Sequence, residues 1–348
     1  MDRYSPVMKA VIGILVSTIL ISVLVPLTFF LKVAFSSDVE MNEFPKSLLP
    51  TLSITVKVTP RPNNEFEVAR RLPDGSFESV MTTKNATKIE TLFRTQYNVD
   101  RAGKDLLAEW APLQKSGEAR TLTYPKDMLY DFKAFFRVVN NALPALRNSI
   151  VVSILTILIS LSLGSLSGYA IARYQFRGKQ ALSMAMLIVR MYPTVGLSIP
   201  AAVLMIKMGL YDTMLGLAIL YSVPNIALTA WITSSIFVGI DRELEEAAMV
   251  FGATRRRAFF SVALPLAFPA IAASSMYAFL TAWNDTISAL VLTDQNPTLS
   301  LIVYKAVGTT SNGIQYAAAG SVILILPALV FTFWVRRYVN QMWGGVTI

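Results

Sequence analysis

The 348-residue sequence predicts an all-α polytopic membrane protein with six transmembrane helices and an extracytoplasmic α/β insert after the first. Three observations carry the prediction. Hydrophobic residues make up 54% of the chain and charged residues only 15%, with a mean hydropathy of +0.51, a balance few soluble domains tolerate. Six apolar runs, at 8–34, 149–173, 181–207, 214–237, 267–292 and 316–338, reach the roughly 20 residues needed to cross about 30 Å of hydrocarbon. Basic residues gather at alternate ends of those runs.

Of the 31 lysines and arginines, 15 lie outside residues 36–148. Eleven of these fall on one side: Arg3, Lys9, Arg173, Arg177, Lys179, Arg242, Arg255, Arg256, Arg257, Arg336 and Arg337. The opposite short loops hold little beyond Lys207 and Lys305. The positive-inside rule places the basic side, and with it both termini, in the cytoplasm. The net charge of +9 therefore reads as topology and not as a nucleic-acid surface. With no cysteine or histidine in the chain, disulfides and histidine-based acid–base chemistry are excluded, and no metal site is expected.

Residues 1–35 read as an N-terminal tail and first span. The run is too long for a signal peptide, and Ala34-Phe35-Ser36 is a poor cleavage site, so a retained anchor is expected. Residues 36–148 form the insert. Leu52 to Val58 alternates apolar and polar residues at the period of a half-buried strand. Two short strands, Phe66–Ala69 and Phe77–Val80, flank Leu72-Pro73-Asp74-Gly75, a hairpin signal. Residues 86–111 read as helical, with Ile89, Leu92, Phe93, Leu106, Leu107 and Trp110 as apolar positions. The insert's 16 basic and 14 acidic residues give a nearly neutral surface, unsuited to nucleic acid. Asn85-Ala86-Thr87 matches a glycosylation acceptor, but so short a pattern is weak and the stretch reads as a solvated loop.

Residues 149–348 form the core, whose most informative stretch is the loop 239–265. Asp241 can cap a helix, with Glu243, Glu245 and Glu246 in its first turns, where the macrodipole favours carboxylates. Gly252 can end that helix in the left-handed conformation. Thr254 can cap a second one, carrying Arg255, Arg256, Arg257, Phe259 and Phe260 and ending near Pro265. The product is a bent elbow with a small-residue surface. An ordinary amphipathic loop with good caps has the same parts singly, but not this register between two spans.

The register Glu246-Ala247-Ala248-x3-Gly252-x9-Val262-x-Leu264-Pro265 resembles the EAA loop of permease subunits in binding-protein-dependent ABC importers. Flanking residues agree: Asn148-Ser149, Gly252-Ala253-Thr254, Leu266 with Pro269, and Ala282-Trp283-Asn284-Asp285. The pattern is similar to the smaller of the two membrane subunits of maltose-type carbohydrate permeases, over roughly 125–340 and the first span. That resemblance implies a type I importer fold and docking of an ATPase through Glu245, Glu246, Ala247, Ala248, Met249, Gly252, Ala253, Arg255, Leu264 and Pro265. It implies a second permease subunit as heterodimer partner, a dimeric ATPase that consumes ATP and Mg, an extracytoplasmic sugar-binding protein, and a di- or oligosaccharide substrate of maltose, maltodextrin or trehalose type. This chain itself is expected to hold no cofactor and to be no enzyme, since it has no phosphate-binding G-x-x-x-x-G-K-[ST] loop. Three features depart from the family pattern: Phe251 stands where Asp is common, the tail after Trp343 is short, and the 36–148 insert is large.

Two charges fall inside spans, Arg190 and Asp285, where insertion costs roughly 2.5–3.5 kcal/mol. Each reads either as pathway lining or as an ion pair holding helices. Tyr192-Pro193, Gly196 and Pro200 suggest a broken third span, and broken helices line substrate routes, which adds Tyr192 and Thr194 as pathway candidates beside Asn284. Trp334, Tyr338 and Trp343 read as interfacial anchors in contact with lipid. The competing function classes are an ion-coupled carrier relying on Asp285, a permease for another solute, and a receptor sensing through the insert.

Overall fold

The computed structural model describes residues 6–42, 49–308 and 313–344, with side chains through residue 338. Arg3, the side chain of Trp343 and the tail 345–348 lie outside the described residues. Helix α1 (Pro6–Phe35) carries only Lys9 and Lys32 as charges, and its 30 residues span about 45 Å. Its residues from Val7 to Leu31 are all exposed. An apolar helix of that length needs hydrocarbon or another protein around it.

By internal contacts the chain divides into two compact units, Met1–Asn140 with Lys305–Val322 and Asn141–Tyr304 with Ile323–Ile348. In the first unit, β1 (Ser53–Arg61), β2 (Glu65–Arg71), β3 (Phe77–Thr83) and β4 (Arg120–Pro125) form one antiparallel sheet ordered β3-β2-β1-β4. The alternation read at residues 52–58 is real: Val56 and Val58 are wholly buried. They meet Ile89, Phe93, Leu106 and Trp110 of α3 (Ala86–Tyr97) and α4 (Gly103–Ser116) in one core. The hairpin turns at Gly75 (φ +86), where Asp74 Oδ1 accepts the Ser76 N–H at 2.9 Å.

The continuous helix expected over 86–111 is corrected to two. Asn98 adopts φ +56 and closes α3, and Gly103 starts α4 against the Ala86 carbonyl, where a Cβ would sit 1.9 Å away. Asn85 is occupied as the cap of α3, accepting from the Thr87 and Lys88 N–H groups. Strand β4 and α5 (Tyr130–Val138) had no counterpart in the sequence reading.

Two buried carboxylates behave oppositely in this unit. Glu40, in α2 (Asp38–Asn42), pairs with Lys126 and accepts from Ser37 and Thr51. Burial raises its pKa, but the bonds from Lys126 and Thr51 outweigh burial and hold the carboxyl below its usual range. At Asp131 burial dominates and pushes the pKa up to about 7, against the bond that Asn98 Nδ2 donates at 2.8 Å and the charge of Lys126.

The second unit contains α6 (Ala142–Arg173), α7 (Lys179–Met191), α8 (Thr194–Lys207), α9 (Met214–Gly239), α10 (Arg242–Val250), α11 (Arg255–Ala258), a π turn (Phe259–Ala263), α12 (Leu264–Leu266), α13 (Phe268–Asn284), α14 (Ile287–Leu292) and most of α15 (Leu299–Ala306). The last helix, α16 (Gly313–Gly344), belongs to both units. Four helices are long and apolar enough to cross a membrane alone: α1, α6, α9 and α16. Two bent pairs satisfy the same test together, α7 with α8 at 97° and α11–α12 with α13 at 72°. The break expected at Tyr192-Pro193 is therefore present. Two span limits are corrected. The second helix starts at Ala142, seven residues before the apolar run, and the run 267–292 is not one helix, because Asp285 is extended (ψ 126).

Packing of α6 on α9 rests on missing side chains. A Cβ on Gly168 would lie 2.1 Å from Thr233 Oγ1 and 2.8 Å from the Ala230 carbonyl, and one on Gly164 would lie 2.5 Å from Thr229 Cβ. Hydrocarbon offers no hydrophobic drive between helices, so close backbone approach supplies the association. Trp283 joins α13 to α16 by donating to the Leu324 carbonyl at 2.9 Å, and Phe279 stacks between Trp283 and Phe331. The loop after α14 is pinned from two sides. Asp212 accepts the N–H groups of Asp294, Gln295 and Asn296, while Asn148 donates to the Pro297 carbonyl and Ser149 accepts from Leu299.

Gly168→Val is expected to lower stability by about 1–3 kcal/mol or to prevent folding, since neither neighbour is a flexible side-chain end; thermal unfolding in detergent, with Gly13→Ala as the unaffected control, measures it. The Asp131 pKa gives a second expectation. Because the folded value lies above the ordinary 3.8, the native state holds the proton, so the contribution is complete below about pH 4 and is lost as pH rises through about 7. Asp131→Asn lacks that dependence, so melting curves of the two proteins should coincide in acid and separate above neutrality, with the variant the more stable.

Candidate docking site

The loop 239–265 folds as the elbow its sequence suggests, with two changes. Helix α10 ends in a Schellman motif: the Gly252 N–H bonds the Met249 carbonyl and the Ala253 N–H the Ala248 carbonyl, both at 3.0 Å, with Gly252 at φ +90. Thr254 caps the second arm through the Arg257 N–H at 3.3 Å. Asp241 stands at the cap position of α10, but its side chain makes no capping bond, which corrects the expected role. The second arm is not one helix to Pro265 either. Pro265 cannot donate, and the winding loosens into the π turn, where the Leu264 N–H reaches back to Phe259.

Adjacent glutamates point different ways because successive helical residues diverge by about 100°. Glu245 turns inward and is 7% exposed, so it is not on the outer surface with the other docking candidates. Its Oε1 accepts from Arg173 Nε at 2.8 Å and lies 2.6 Å from Arg173 Nη2, and its Oε2 accepts from the Tyr169 hydroxyl. Arg173 Nη2 also donates to the Ile240 carbonyl at 3.0 Å, and Arg242 donates to the Arg173 carbonyl. The Tyr169 ring packs on Phe237 of α9 and on Phe259 of the second arm, with centroids 5.3 and 4.6 Å apart. Both arms thus bear on the last turn of α6. Sequence reasoning used Arg173 only as a topology marker and missed Tyr169; their i, i+4 spacing at a span end was the available signal.

Outward lie Glu246, Ala247, Gly252, Arg255 and Pro265, with Ala248, Met249, Ala253 and Leu264 half-buried. At the tip Val250 is 85% and Phe251 90% exposed. Phe251 was read only as a missing carboxylate; in the fold it is the most prominent apolar group of the elbow. Arg255, Arg256 and Arg257 open the second arm, all exposed, with the Arg255 guanidinium over the Tyr174 ring.

The pathway candidates separate into two groups. Arg190 and Tyr192 are exposed at the end of α7, Asn284 is exposed at the end of α13, and Arg190 and Asp285 form no ion pair with each other. Thr194 and Asp285 are linked instead by serines. Ser198 Oγ donates to the Thr194 carbonyl at 2.9 Å and lies 2.9 Å from Ser288 Oγ, and the Ser288 N–H donates to Asp285 Oδ2 at 3.2 Å. Ser300 Oγ donates to the Asp285 carbonyl at 2.7 Å. Both helix breaks therefore meet across α8 and α14, and Asp285 caps α14. The serines carried no motif and were missed.

Residues 160–343 match the family described as binding-protein-dependent transport system inner membrane component. The chain is 34% identical over 206 residues to the trehalose transport system permease protein SugB of Mycobacterium tuberculosis, covering 58% of this chain and 75% of that one. It is 33% identical over 193 residues to the arabinooligosaccharides transport system permease protein AraQ of Halalkalibacterium halodurans, covering 55% and 68%. A chain in the crystal structure of a bacterial ABC transporter involved in the import of the acidic polysaccharide alginate shares the fold, with a TM-score of 0.61 at 17% identity over 97% of this chain and 99% of that one.

Gly252→Val forces a β-branched residue into the left-handed region, at about 1–2 kcal/mol or more. Amide exchange at Gly252 and Ala253 should accelerate about tenfold, by fraying of the Schellman bonds, while Gly252→Asn stays close to wild type.

Proposed function

The chain belongs to the family of binding-protein-dependent transport system inner membrane components, and on that premise we propose that it is the permease subunit of an ATP-driven importer for a di- or oligosaccharide. It is a multi-pass membrane protein; six spans, counting each bent pair as one, with both termini and the elbow in the cytoplasm, complete the reading. The observation that carries it is the elbow. A Schellman-stopped helix holds two large apolar side chains in the open, followed in sequence by three exposed arginines, inside the segment that matches the family.

The elbow seats in a cleft of a partner ATPase, with Val250 and Phe251 covered at the centre and Glu246, Ala247, Gly252 and Arg255 around them. Exposed apolar groups ringed by polar ones mark such contacts. ATP with Mg is consumed by that partner. A second permease subunit completes a cavity, and an extracytoplasmic sugar-binding protein delivers substrate to the side that carries the α/β unit. Relatives named for trehalose and arabinooligosaccharides support the sugar class.

A cysteine at Phe251 is expected to cross-link to the ATPase subunit in the assembled transporter, and a cysteine at Asn85, on the α/β unit, is not. An assembled complex that yields no adduct from Phe251→Cys rejects the docking role.

A further inference from the structure

We infer that the cavity between the start of α7 and the cytoplasmic half of α9 is a binding site for one anionic phospholipid of the cytoplasmic leaflet. The inference rests on the orientation proposed above, which puts this end of α7 on the cytoplasmic side. It adds a ligand that the transport reading does not supply.

The cavity is lined from the second unit alone and holds about 870 Å3, toward the upper end of the roughly 300–1,000 Å3 usual for small-molecule sites. Its lining changes character along one helix. Gln175, Lys179 and Gln180, with Phe176 among them, form the end where the chain leaves α6 and turns at Gly178 (φ +88) into α7. Met184 and Leu187, further along α7, and Trp231 of α9 form the other end. From Lys179 to Leu187 the helix rises about 12 Å, and over that distance the wall passes from charged to apolar. A phospholipid changes in the same sense from headgroup to acyl chain.

Charge selects an anionic headgroup. No acid lines the cavity. Residues 174–240 carry Arg177, Lys179, Arg190 and Lys207 against a single acid, Asp212, which lies past the opposite end of α8. Arg177 and Lys179 have no ion-pair partner among the described residues. Basic pockets between spans on the cytoplasmic side suit the anionic headgroups that this leaflet supplies.

Trp231 favours a lipid over a protein helix. It is 48% exposed, and its indole N–H has no acceptor among the described residues. An indole suits a boundary that is apolar on one side and polar on the other, with its ring against an acyl stem and its donor available to a glycerol ester. Helix α7 buries none of its residues, so Met184 and Leu187 need a cover from outside this unit. An apolar helix of a second subunit would cover them and leave Lys179 without a counter-charge. A molecule with an anionic head and an apolar tail satisfies both ends.

The test is photo-crosslinking in the transporter assembled with its ATPase, in phosphatidylcholine nanodiscs holding a trace of phosphatidylglycerol with a diazirine near the start of one acyl chain. Peptide mapping should place adducts on residues 180–187 and on Trp231. Their yield should exceed that of the matching phosphatidylcholine probe about fivefold or more, the worth of one basic side chain at an anionic leaflet. Lys179→Gln should remove about that factor and Lys179→Arg restore it, while Lys207→Gln, at the far end of α8, changes nothing. Trp231→Ala should lower adducts from both probes, with gel filtration of each complex guarding against a folding defect. Equal yields from the two headgroups overturn the inference. So does an assembled complex with no adduct at these positions, which means that another subunit covers the cavity. Loss of the adduct to an excess of soluble glycerol phosphate also overturns it, because the site then takes the free anion. Failure of the orientation looks different: a membrane-impermeant maleimide added outside intact cells would leave Lys207→Cys, the one cysteine of that variant, unmodified.

Discussion

Hydrocarbon offers no hydrogen bonds to a backbone, and the second unit is arranged around that constraint. Wherever a helix breaks, side chains or neighbouring loops must take over its unpaired groups. At Asp285 the carboxylate takes the Ser288 N–H and the carbonyl takes Ser300, so the interruption between α13 and α14 is satisfied from within the unit. Beyond Pro193 the N–H groups of Gly196 and Leu197 return to the Pro193 carbonyl, restarting the helix at once. One carboxylate oxygen of Asp285 is thus engaged in holding the first turn of α14, a structural role.

Buried ion pairs serve in both units, each with a hydroxyl completing the site. Glu40 meets Lys126 and Thr51 in the first, and Glu245 meets Arg173 and Tyr169 in the second. Such pairs contribute little net stability, because desolvation offsets most of the attraction. They contribute direction: only one approach of the two elements satisfies every donor.

What was legible in the sequence follows the range of the interactions involved. Apolar runs, the Asp74-Gly75 hairpin, the break at Pro193, the stop at Gly252 and the cap at Thr254 depend on residues within a few positions, and all were readable. Helix limits were not, since Ala142 extends α6 before the apolar run and Asn98 splits α3 from α4 through a conformation that any polar run could have avoided. Strand β4 lies at a sheet edge and is only six residues long, so its alternation is confined to Leu122 and Tyr124, too short a signal to stand out. The orientation of Glu245 was hidden for a different reason. Two neighbouring glutamates are equivalent in composition, and the arginine that distinguishes them stands 72 residues earlier.

The helices of the second unit differ in how firmly they are held, and the difference follows from side-chain size. The seam between α6 and α9 uses Gly164, Gly168, Thr229 and Thr233, and elsewhere along α6 the hydroxyls of Ser153, Thr156 and Ser160 are buried with no hydrogen-bond partner among the described residues. Small residues bring backbones close where hydrocarbon supplies no other attraction, and once interlocked they resist sliding. Helix α7, by contrast, buries none of its residues and ends at a 97° bend. One pair is thus interlocked by shape while its neighbour lies open. A membrane protein that must move without unfolding requires that separation: rigid seams that carry displacement, and unfilled surfaces along which displacement can occur.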